Sequence, residues 1–571
     1  MTRVFGQRVR NWRDRIKFWP RDASLRSWAT RVADRQVFVS LGFLMLFLIV
    51  AVRVVEIGLT NPGSLQIHRD VPEQEFSRAD IVDRNGEELA MTVSGYALYA
   101  HPHEMNGDEA RRRVAIQLAA LIDDIDPDRL AAALTSGRKF IWIKQRLTPE
   151  QKQDVHDLGE PGLHFGRRPV RVYPKGKLAA HILGGTTYGD AAVNSAVIVG
   201  NAGVEHHMDA RLTAPGQSHQ PLELSIDSRV QNVVAKYLAR GKEEYQAQRA
   251  SAVLMDVQTG EIHALVSLPD FDPNARADHQ SSELFCDPVQ GVFEFGSTFK
   301  IFAAVQAIEL GHVTPDSMIS NQSFRLGRYQ IRSTERGDTK LTLRDVIAQS
   351  SNTGVAQLAL NIGSAKQRNF LSQLGLLEKS SIEFTEAQNV GPLTPSRWAE
   401  LETATISYGH GVAVTQVQLA AAYATLVNGG FRVTPTILKR TDMGPATDRV
   451  ISEETSRVAV ELLRAVVTDG TARYANIPEV AIGGKTGTAD KQRPEGGYYR
   501  DKVLATFASV FPTDNPRYAL VVTLDEGTSG DGSKWERSAG RTAVPVATVI
   551  IEKVAPLLGL DPNEQRIAAR N

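Results

Sequence analysis

Between residues 222 and 560, apolar positions alternate with polar ones in some segments and recur every three or four residues in others. The first pattern predicts strands and the second predicts helices. LELSID reads as a strand, and the following SRVQNVVAKYLARGKEEY has helical spacing. Two strands with a turn at 258–260 come next, and the region closes with two strands and a helix in VLATFASVFP, NPRYALVVTLDE and VPVATVIIEKVAPLL. Strands at both ends favour one sheet with helices inserted, and a groove between them is a common place for a site.

The preceding region, about residues 76–220, has the pattern of a smaller mixed α/β domain. YALYAH at 96–101 alternates like a strand, whereas 108–122 and 127–134 have helical spacing. Asp126 is the expected N-cap of the second helix, because Pro127 stands at the first helical position.

The N-terminus has the composition of a membrane anchor. Residues 37–52 carry no charge, and the stretch to Val55 counts nineteen residues, close to the roughly 20 that span a bilayer. Residues 1–36 contain ten Lys or Arg against three Asp, and such positive charge marks the cytoplasmic side. We expect a single-pass inner-membrane protein with a cytoplasmic N-terminus and periplasmic folded regions. A buried soluble helix and a cleaved signal peptide are the alternatives.

Composition narrows the classes of function. The 571 residues are 42% hydrophobic and 23% charged, which is typical of globular proteins. The formal net charge is zero, so the chain lacks the basic field that nucleic-acid binding uses. Cys286 is the single cysteine, which excludes an intrachain disulfide, and it is interpreted as a small buried apolar residue.

Ser297 and Lys300 are the first candidates for chemistry. They stand in EFGSTFK, which precedes a segment of helical spacing, so Ser297 is expected at or near a helix N-terminus. Residues three apart share a helix face, and a lysine made neutral by burial can take a proton from a serine. Alone the pair is a weak signal, because a capping serine and a solvated lysine are the ordinary interpretation.

Ser350-Ser351-Asn352 is the second candidate, in a tight connection between two helical stretches. A serine there can relay protons, and an asparagine can bind an amide carbonyl. Ordinary helix capping is the alternative.

GGKTGTA, residues 483–489, is the third candidate and reads as a strand. Lys485 supplies charge, Thr486 and Thr488 offer hydroxyls to a carboxylate, and Gly487 lets a ligand backbone lie close. A phosphate loop is rejected, because a Glu stands where its first glycine belongs and no helix follows.

The three motifs together, in this order, are far less probable by chance than any one alone. They resemble the Ser-x-x-Lys, Ser-x-Asn and Lys-Thr-Gly set of penicillin-binding proteins and β-lactamases, and Ser351 in place of Asp resembles the former more. RADIVDRNG at 78–86, RVYP at 171–174, AAHILG at 179–184 and GVE at 203–205 are similar to the pedestal motifs of class B penicillin-binding proteins, as TGEI at 259–262 and DPN at 272–274 are to the start of their transpeptidase domain.

Two stretches, 396–430 and 511–526, most resemble the division-specific FtsI subgroup. Three residues depart from the family pattern: Ala79 replaces Gly, Phe295 replaces Pro, and Thr353 replaces an aliphatic residue. None of these departures removes a reactive group.

The resemblance implies an α/β (α+β) architecture. A serine transpeptidase/β-lactamase-like domain, an antiparallel sheet with a helical cluster, would follow an elongated mixed α/β pedestal and an N-terminal transmembrane helix. The predicted segments are a basic cytoplasmic tail (1–36), the transmembrane helix (37–56), a pedestal of the dimerisation type (57–221), the transpeptidase domain (222–560) and a C-terminal tail (561–571).

The resemblance also implies a serine acyl-enzyme. Ser297 would attack the penultimate D-alanine carbonyl of a stem peptide ending in D-Ala-D-Ala, with Lys300 as its base. Ser350, assisted by Lys485, would pass a proton to the departing D-alanine.

Substrate binding is implied for the remaining motif residues. Asn352 would hold the donor peptide's amide, and Thr486 and Thr488 its terminal carboxylate beside Gly487. The backbone amides of Ser297 and Thr488 would form the oxyanion hole.

The partners implied are peptidoglycan stem peptides, β-lactams as covalent inhibitors, a SEDS-type glycan polymerase and other division proteins, with no nucleic acid. An elongation-type class B transpeptidase, a D,D-carboxypeptidase or lactamase, and a non-catalytic division scaffold stay open as alternatives.

No metal or organic cofactor is expected. His101-Pro102-His103 and His206-His207 show no spacing with carboxylates or cysteines typical of metal sites, and we predict that they lie at the surface. His410 in SYGHG is a weaker candidate for lining the groove.

Overall fold

The structure is a computed structural model, and the chain divides into two compact units, Met1–Glu75 and Phe76–Asn571. The described residues are 39–53, 78–189, 197–217, 219–278, 280–333, 339–441, 448–493, 495–530, 533 and 535–560.

The first unit contributes one described helix, α1, over residues 39–53. Among the described residues, no helix is both long enough and apolar enough to cross a membrane. The ends of the predicted anchor at 37–56, and the predicted tails 1–36 and 561–571, lie outside the described residues.

Residues 78–223 build a mixed sheet with helices packed against it. The elements in chain order are β1 (Ile81–Val82), β2 (Glu88–Ala100), α2 (Gly107–Leu121), α3 (Pro127–Leu134), β3 (Ile141–Leu147), α4 (Pro149–Asp157), β4 (Leu163–Val172), α5 (Ala180–Leu183), β5 (Gly185–Tyr188), β6 (Ile198–Ala202), α6 (Gly203–His207), α7 (Asp209–Leu212) and β7 (Leu222–Glu223).

The central strand of this sheet is β2, which pairs antiparallel with β1, β3 and β4, while β7 pairs parallel with β1. One face of the sheet packs its buried Leu98 and Ala100 against leucines of α2 and α3. The predicted cap of α3 is confirmed, because the Asp126 side chain accepts hydrogen bonds from the next two backbone amides after Pro127. The predicted helix at 108–122 is also confirmed, shifted by one residue.

A buried ion cluster joins the distant segments of this region. Glu205 on α6 is wholly buried, and its carboxylate accepts hydrogen bonds from Arg78 Nε and Arg171 Nε, both at 2.7 Å. Arg78 also donates to Asp209 at 2.7 Å. The charges are tolerated away from water because each one faces an opposite charge and fixed hydrogen-bond partners.

Residues 228–560 form a second sheet with a helical cluster. The elements are α8 (Ser228–Glu244), β8 (Arg249–Asp256), β9 (Ile262–Leu268), α9 (Asp287–Gln290), α10 (Lys300–Glu309), β10 (Met318–Ser320), β11 (Phe324–Leu326), β12 (Tyr329–Ile331), β13 (Lys340–Thr342), α11 (Leu343–Ala348), α12 (Asn352–Ile362), α13 (Ser364–Gln373), α14 (Thr385–Gln388), α15 (Glu400–Ile406), α16 (Gln416–Val427), α17 (Glu453–Thr468), β14 (Gly483–Gln492), β15 (Tyr498–Phe511), β16 (Tyr518–Asp525) and α18 (Ala543–Val554).

The main sheet has the strand order β14-β15-β16-β8-β9, and every neighbouring pair is antiparallel. It is assembled from both ends of the region, as the positions of the apolar runs predict. Residues 250–255 of β8 and all of β9 are buried although successive side chains point to opposite faces, so helices cover both sides of the sheet.

One predicted strand is shorter than expected. LELSID is a regular strand only at Leu222–Glu223, but the segment stays hydrogen-bonded to the first sheet, because Leu224 N donates to the Val82 carbonyl at 2.9 Å. The next residue, Ser225, donates its amide to the Ile437 carbonyl at 2.8 Å. The segment therefore bridges the first sheet and the second sheet region.

The helix α16 is buried on all sides and stands at the centre of the helical cluster. A capping box between Thr415 and Gln418 satisfies its first amides. The Tyr423 hydroxyl of this helix donates to the carbonyl of Thr298 at 2.7 Å, which anchors the turn that carries Ser297.

The ion cluster yields a prediction for stability. Glu205→Ala leaves Arg78 and Arg171 buried without a counter-charge, so we expect the free energy of unfolding to fall by about 3–5 kcal/mol. Glu223→Ala is the matched control, because it breaks a pair with Lys439 whose side chains are 48% and 34% exposed; we expect a loss below about 1 kcal/mol. Urea unfolding at neutral pH measures both. Equal losses would contradict the stabilising role of the cluster.

Candidate active site

Ser297 lies in a 3-10 turn, Gly296–Phe299, and α10 begins directly after it at Lys300. Gly296 at the start of this turn has a φ of +53°, a conformation that favours glycine. Ser297 is half-buried, and its hydroxyl makes no hydrogen bond to any residue that the structure describes. The first motif therefore presents a free hydroxyl just ahead of a helix, at the predicted position.

Lys300 points into the protein, and only 1% of its surface is exposed. Its Nζ donates to Ser350 Oγ at 2.9 Å and also to the Ser350 carbonyl. Burial, followed by the nearby charge of Lys485, holds the pKa of Lys300 well below its ordinary value. The amine is therefore far more available as a proton acceptor than an exposed lysine.

Lys485 reaches the same hydroxyl from the edge strand of the main sheet. It is fully buried on β14, and its Nζ donates to Ser350 Oγ at 3.0 Å and to the Thr486 carbonyl at 3.2 Å. Burial lowers the pKa of Lys485 to about 7. The second and third motifs thus meet although they are 135 residues apart.

The Ser350 hydroxyl is the meeting point of the two lysines. A serine oxygen has two acceptor sites, and the two amines fill both, so its own proton remains available to another acceptor. Two charged ammonium groups on one oxygen would repel each other, which favours the neutral form of one lysine. The arrangement is suited to passing a proton between the lysines and a third group.

The backbone of Ser350 is held in an uncommon conformation. Its φ of +65° is left-handed, which costs a residue other than glycine about 1–3 kcal/mol. The next residue, Ser351, caps α12 by accepting from Gly354 N at 3.0 Å and donates to Asn321 Oδ1 at 2.7 Å. Thr353 also donates to Asn321, at 3.1 Å.

The structure therefore adds Asn321 to the site as a support. No spacing in the sequence indicates it, because it lies 30 residues before its partner Ser351. The hydroxyl of Thr353, which departs from the aliphatic family pattern, has a structural purpose in the same network.

The strand β14 and the Ser297 turn approach each other closely. A Cβ added to Gly487 would lie 2.3 Å from the Phe295 carbonyl oxygen, and one added to Gly296 would lie 3.2 Å from the Thr488 carbonyl oxygen. Only glycine at 487 permits this approach. The backbones of the first and third motifs consequently run side by side.

The threonines of the third motif already have partners. Thr486 Oγ1 is hydrogen-bonded to Thr471 Oγ1 at 2.6 Å, and Thr488 Oγ1 accepts from Ala539 N at 3.0 Å. These bonds fix the hydroxyl positions. Thr471 and Ala539 are further supports that the sequence pattern did not indicate.

Asn352 opens α12 and is half-buried. Its side chain makes no hydrogen bond within the part of the chain that the structure describes. The hydrogen bonds therefore bring Lys300, Ser350 and Lys485 together, while neither Ser297 nor Asn352 is hydrogen-bonded to these three.

The SYGHG segment packs against the Ser297 turn. A Cβ on Gly409 would lie 1.9 Å from the Gly296 carbonyl oxygen, so the two loops are in contact. The His410 ring lies 5.9 Å from the Tyr498 ring, whose hydroxyl donates to Glu294 at 2.9 Å. His410 thus stands beside this turn, and among the described residues its buried Nδ1 has no hydrogen-bond partner.

Other reactive side chains lie outside this site. Burial raises the pKa of the Cys286 thiol well above its ordinary value, which leaves it neutral, as expected for a packing residue. Among the described residues, the one group of three metal-ligating side chains is His101, His103 and Glu104, in the first sheet region.

Two family models match the chain. Residues 250–552 match the penicillin binding protein transpeptidase domain, and residues 73–242 match the penicillin-binding protein dimerisation domain. The first match alone covers more than half of the chain. The chain belongs to the penicillin-binding protein family. The resemblance drawn from the sequence motifs is confirmed.

Curated relatives extend this family assignment over most of the chain. The probable peptidoglycan D,D-transpeptidase FtsI of Caulobacter vibrioides is 32% identical over 509 residues, which cover 87% of this chain and 84% of the relative. Peptidoglycan D,D-transpeptidase FtsI of Escherichia coli K12 is 29% identical over 581 residues, covering 96% and 95%.

A solved structure of the family has the same fold. Penicillin binding protein 3 from Mycobacterium tuberculosis, complexed with ampicillin, aligns with a TM-score of 0.65 at 25% identity and covers 85% of this chain and 96% of its own. The mixed α/β fold predicted from the sequence is therefore confirmed.

The close approach of β14 predicts the effect of adding one methyl group. Gly487→Ala would force β14 away from the Phe295 carbonyl, and we expect β-lactam acylation to slow about a hundredfold because displacements of 1 Å have such effects. Stopped-flow labelling with a fluorescent penicillin measures the rate. Gly391→Ala is the control, since its Cβ would meet only Lys379 side-chain carbons at 3.5 Å or more. An unchanged rate in Gly487→Ala would show that this contact is unimportant.

The paired lysines predict a pH dependence. Protonated Lys300 accepts no proton, so acylation falls as pH drops through the lowered pKa of Lys300, well below the usual 10.5. Lys485→Gln removes a neighbouring positive charge and raises the pKa of Lys300, so the acid limb of the rate profile should move to higher pH. Lys485→Arg carries a positive charge at every pH, so it should not move the limb to higher pH. A limb that stays fixed in Lys485→Gln contradicts this coupling.

Proposed function

We propose that this protein is a peptidoglycan D,D-transpeptidase that works through an acyl-enzyme on Ser297. One observation carries the proposal: Lys300 and Lys485 both donate to the hydroxyl of Ser350. Lys300 directly follows the turn of Ser297, whose hydroxyl has no hydrogen-bond partner among the described residues. The names of the relatives in Caulobacter vibrioides and Escherichia coli support the same reaction.

In the acylation step Ser297 Oγ attacks the penultimate D-alanine carbonyl carbon. The Oγ–C bond forms, and the C–N bond to the terminal D-alanine breaks. The Ser297 proton passes to the neutral Lys300 amine, and the leaving nitrogen receives a proton from Ser350, which Lys300 and Lys485 replenish. The hydrogen bonds of Ser350 to both lysines supply this route.

The donor peptide binds along β14. The substrate's terminal carboxylate lies by Thr486 and Thr488, Gly487 admits its backbone, and Asn352 binds its amide. The amides of Ser297 and Thr488 stabilise the oxyanion, and the near contact of Gly296 with Thr488 supports this pairing of the two segments.

In the second step an amine of another stem peptide attacks the ester. The new amide bond is the cross-link, and Ser297 is regenerated. Water in place of the amine would give a D,D-carboxypeptidase, which is the enzymatic alternative. A β-lactam acylates the same oxygen, but its leaving nitrogen stays tethered to the acyl group, so the adduct persists.

The cellular setting is also part of the proposal. The segment 37–56 anchors the protein in the inner membrane with a cytoplasmic N-terminus, the pedestal (57–221) and the transpeptidase domain (222–560) lie in the periplasm, and division is the process served. The uncharged run at 37–52 and the FtsI-like stretches at 396–430 and 511–526 support it. A SEDS-type polymerase supplies the glycan strands.

A fluorescent penicillin tests the acyl-enzyme. The full-length protein should gain one covalent label, which mass spectrometry maps to the peptide that contains Ser297. Ser297→Ala should lose the label, whereas the exposed Ser281→Ala should retain it. Labelling that persists in Ser297→Ala would falsify the assignment of the nucleophile, and an unlabelled wild-type protein would favour the non-catalytic scaffold.

Product analysis separates transfer from hydrolysis. With a D-Ala-D-Ala stem peptide and an amine acceptor, we expect an amide-linked product that Ser297→Ala does not form. Release of D-alanine with hydrolysed donor alone would support the carboxypeptidase.

A further inference from the structure

The outward face of the first sheet carries a histidine cluster that the transpeptidase chemistry does not use. Tyr99 of β2 pairs directly with His164 of β4, and His101 follows Tyr99 by two residues, so all three side chains lie on one face. The opposite face holds the buried Leu98 and Ala100. The strand register therefore places the histidines on the side away from the core.

A 3-10 turn adds two more ligands to this face. Pro102–Glu104 follows β2 immediately, and it carries His103 and Glu104. The ligand atoms of His101, His103 and Glu104 all lie within 4.8 Å of one another. Three metal-ligating groups thus converge within a single turn of backbone.

His164 approaches the Glu104 carboxylate from the neighbouring strand. Its Nε2 lies 2.6 Å from one Glu104 oxygen, while the other oxygen lies 3.1 Å from His101 Nδ1 and 3.7 Å from His103 Nε2. Ligand atoms around a tetrahedral zinc ion are about 3.4 Å apart, given Zn–N bonds of about 2.0–2.1 Å. The distances from one Glu104 oxygen to His101 and His103, 3.1 and 3.7 Å, bracket this value.

Aromatic packing holds the imidazole rings in place. Tyr99 stacks on His164 with ring centroids 5.5 Å apart, and Phe140 stacks on Tyr99 at 5.1 Å. The ring of His101 lies 4.7 Å from that of His164. Rings fixed by their neighbours lose little freedom when they bind an ion.

We propose that His101, His103 and Glu104 bind one divalent transition-metal ion, with Zn²⁺ as the ion that fits best, and that His164 positions the Glu104 carboxylate. Two imidazoles and one carboxylate are donors that suit Zn²⁺, whereas Ca²⁺ and Mg²⁺ require oxygen ligands. A water molecule completes the tetrahedral shell, and the hydrogen bond between His164 and Glu104 ties the turn after β2 to β4.

Glu104 supplies the carboxylate of this group. The prediction that these histidines have no carboxylate at metal spacing is wrong: Glu104 is the residue after His103, and His164 is separated from Glu104 by 60 positions.

Zinc titration of the full-length protein tests the proposal. After removal of metal with EDTA and dialysis, Zn²⁺ is added in competition with a chromogenic chelator, and bound metal is measured by elemental analysis. We expect one zinc ion per chain, with no competition from Mg²⁺ or Ca²⁺. His101→Gln and His164→Gln should each weaken binding more than about tenfold, because even changes to residues behind a ligand cost that much.

The matched control is His156→Gln, an exposed histidine on α4 whose side chain is 71% accessible. It should bind zinc like the wild-type protein. His103→Gln is a second test variant, since that side chain is 61% exposed and its loss leaves the packing intact. Penicillin labelling of Ser297 should persist in all variants, which separates loss of metal from loss of folding and from failure of the proposed reaction.

Cobalt substitution gives a spectroscopic check. Co²⁺ in a tetrahedral site absorbs visible light strongly, and this absorption should appear in the wild-type and His156→Gln proteins and vanish in His101→Gln. His101→Cys should retain the metal with an altered spectrum. Wild-type protein that binds no stoichiometric zinc, or zinc binding that is equal in the His101→Gln and His156→Gln variants, would overturn the proposal.

Discussion

Two lysine side chains that are withdrawn from water share one serine hydroxyl, and the rest of the domain is arranged to allow this contact. An exposed lysine stays charged near neutral pH and accepts no proton, so Lys300 depends on a dry interior to lower its pKa. That interior needs three separate stretches of chain: the start of α10, the turn before α12 and the edge strand β14. The sheet built from both ends of the domain brings β14 to the helices.

Close packing around this contact holds the backbone in positions that it would not adopt alone. Ser350 keeps its left-handed φ because Asn321 fixes the adjacent Ser351, and the Ser297 turn is tied to the buried helix α16 through Tyr423. Such conformations persist only where the surroundings determine them fully. The all-buried α16 is therefore as much a support for chemistry as a part of the core.

Charged and polar side chains of the first sheet region are paired in two ways. On the inside, Glu205 is matched by arginines and joins segments that are far apart in sequence. On the outside, ring nitrogens of His101 and His164 face the two oxygens of Glu104 at the proposed metal site. The region also contacts the second sheet domain, where Gly203 N donates to Glu386 at 2.9 Å. The proposed metal site on the outer face therefore lies in a region that also contacts the transpeptidase domain.

The sequence by itself determined the elements and the reactive residue types. Local spacing in the sequence predicted the cap at Asp126, the helix after Asp227, the strands at both ends of the domain and the three motifs. Each of these features depends on neighbours within a few positions along the chain. Only the tertiary structure decided that Ser350 is the meeting point, that Asn321 supports it and that His164 joins Glu104. Those outcomes depend on the strand register and on the burial of segments that are distant in sequence. Strand pairing determines which side chains meet, and removal from water determines which of them stay charged.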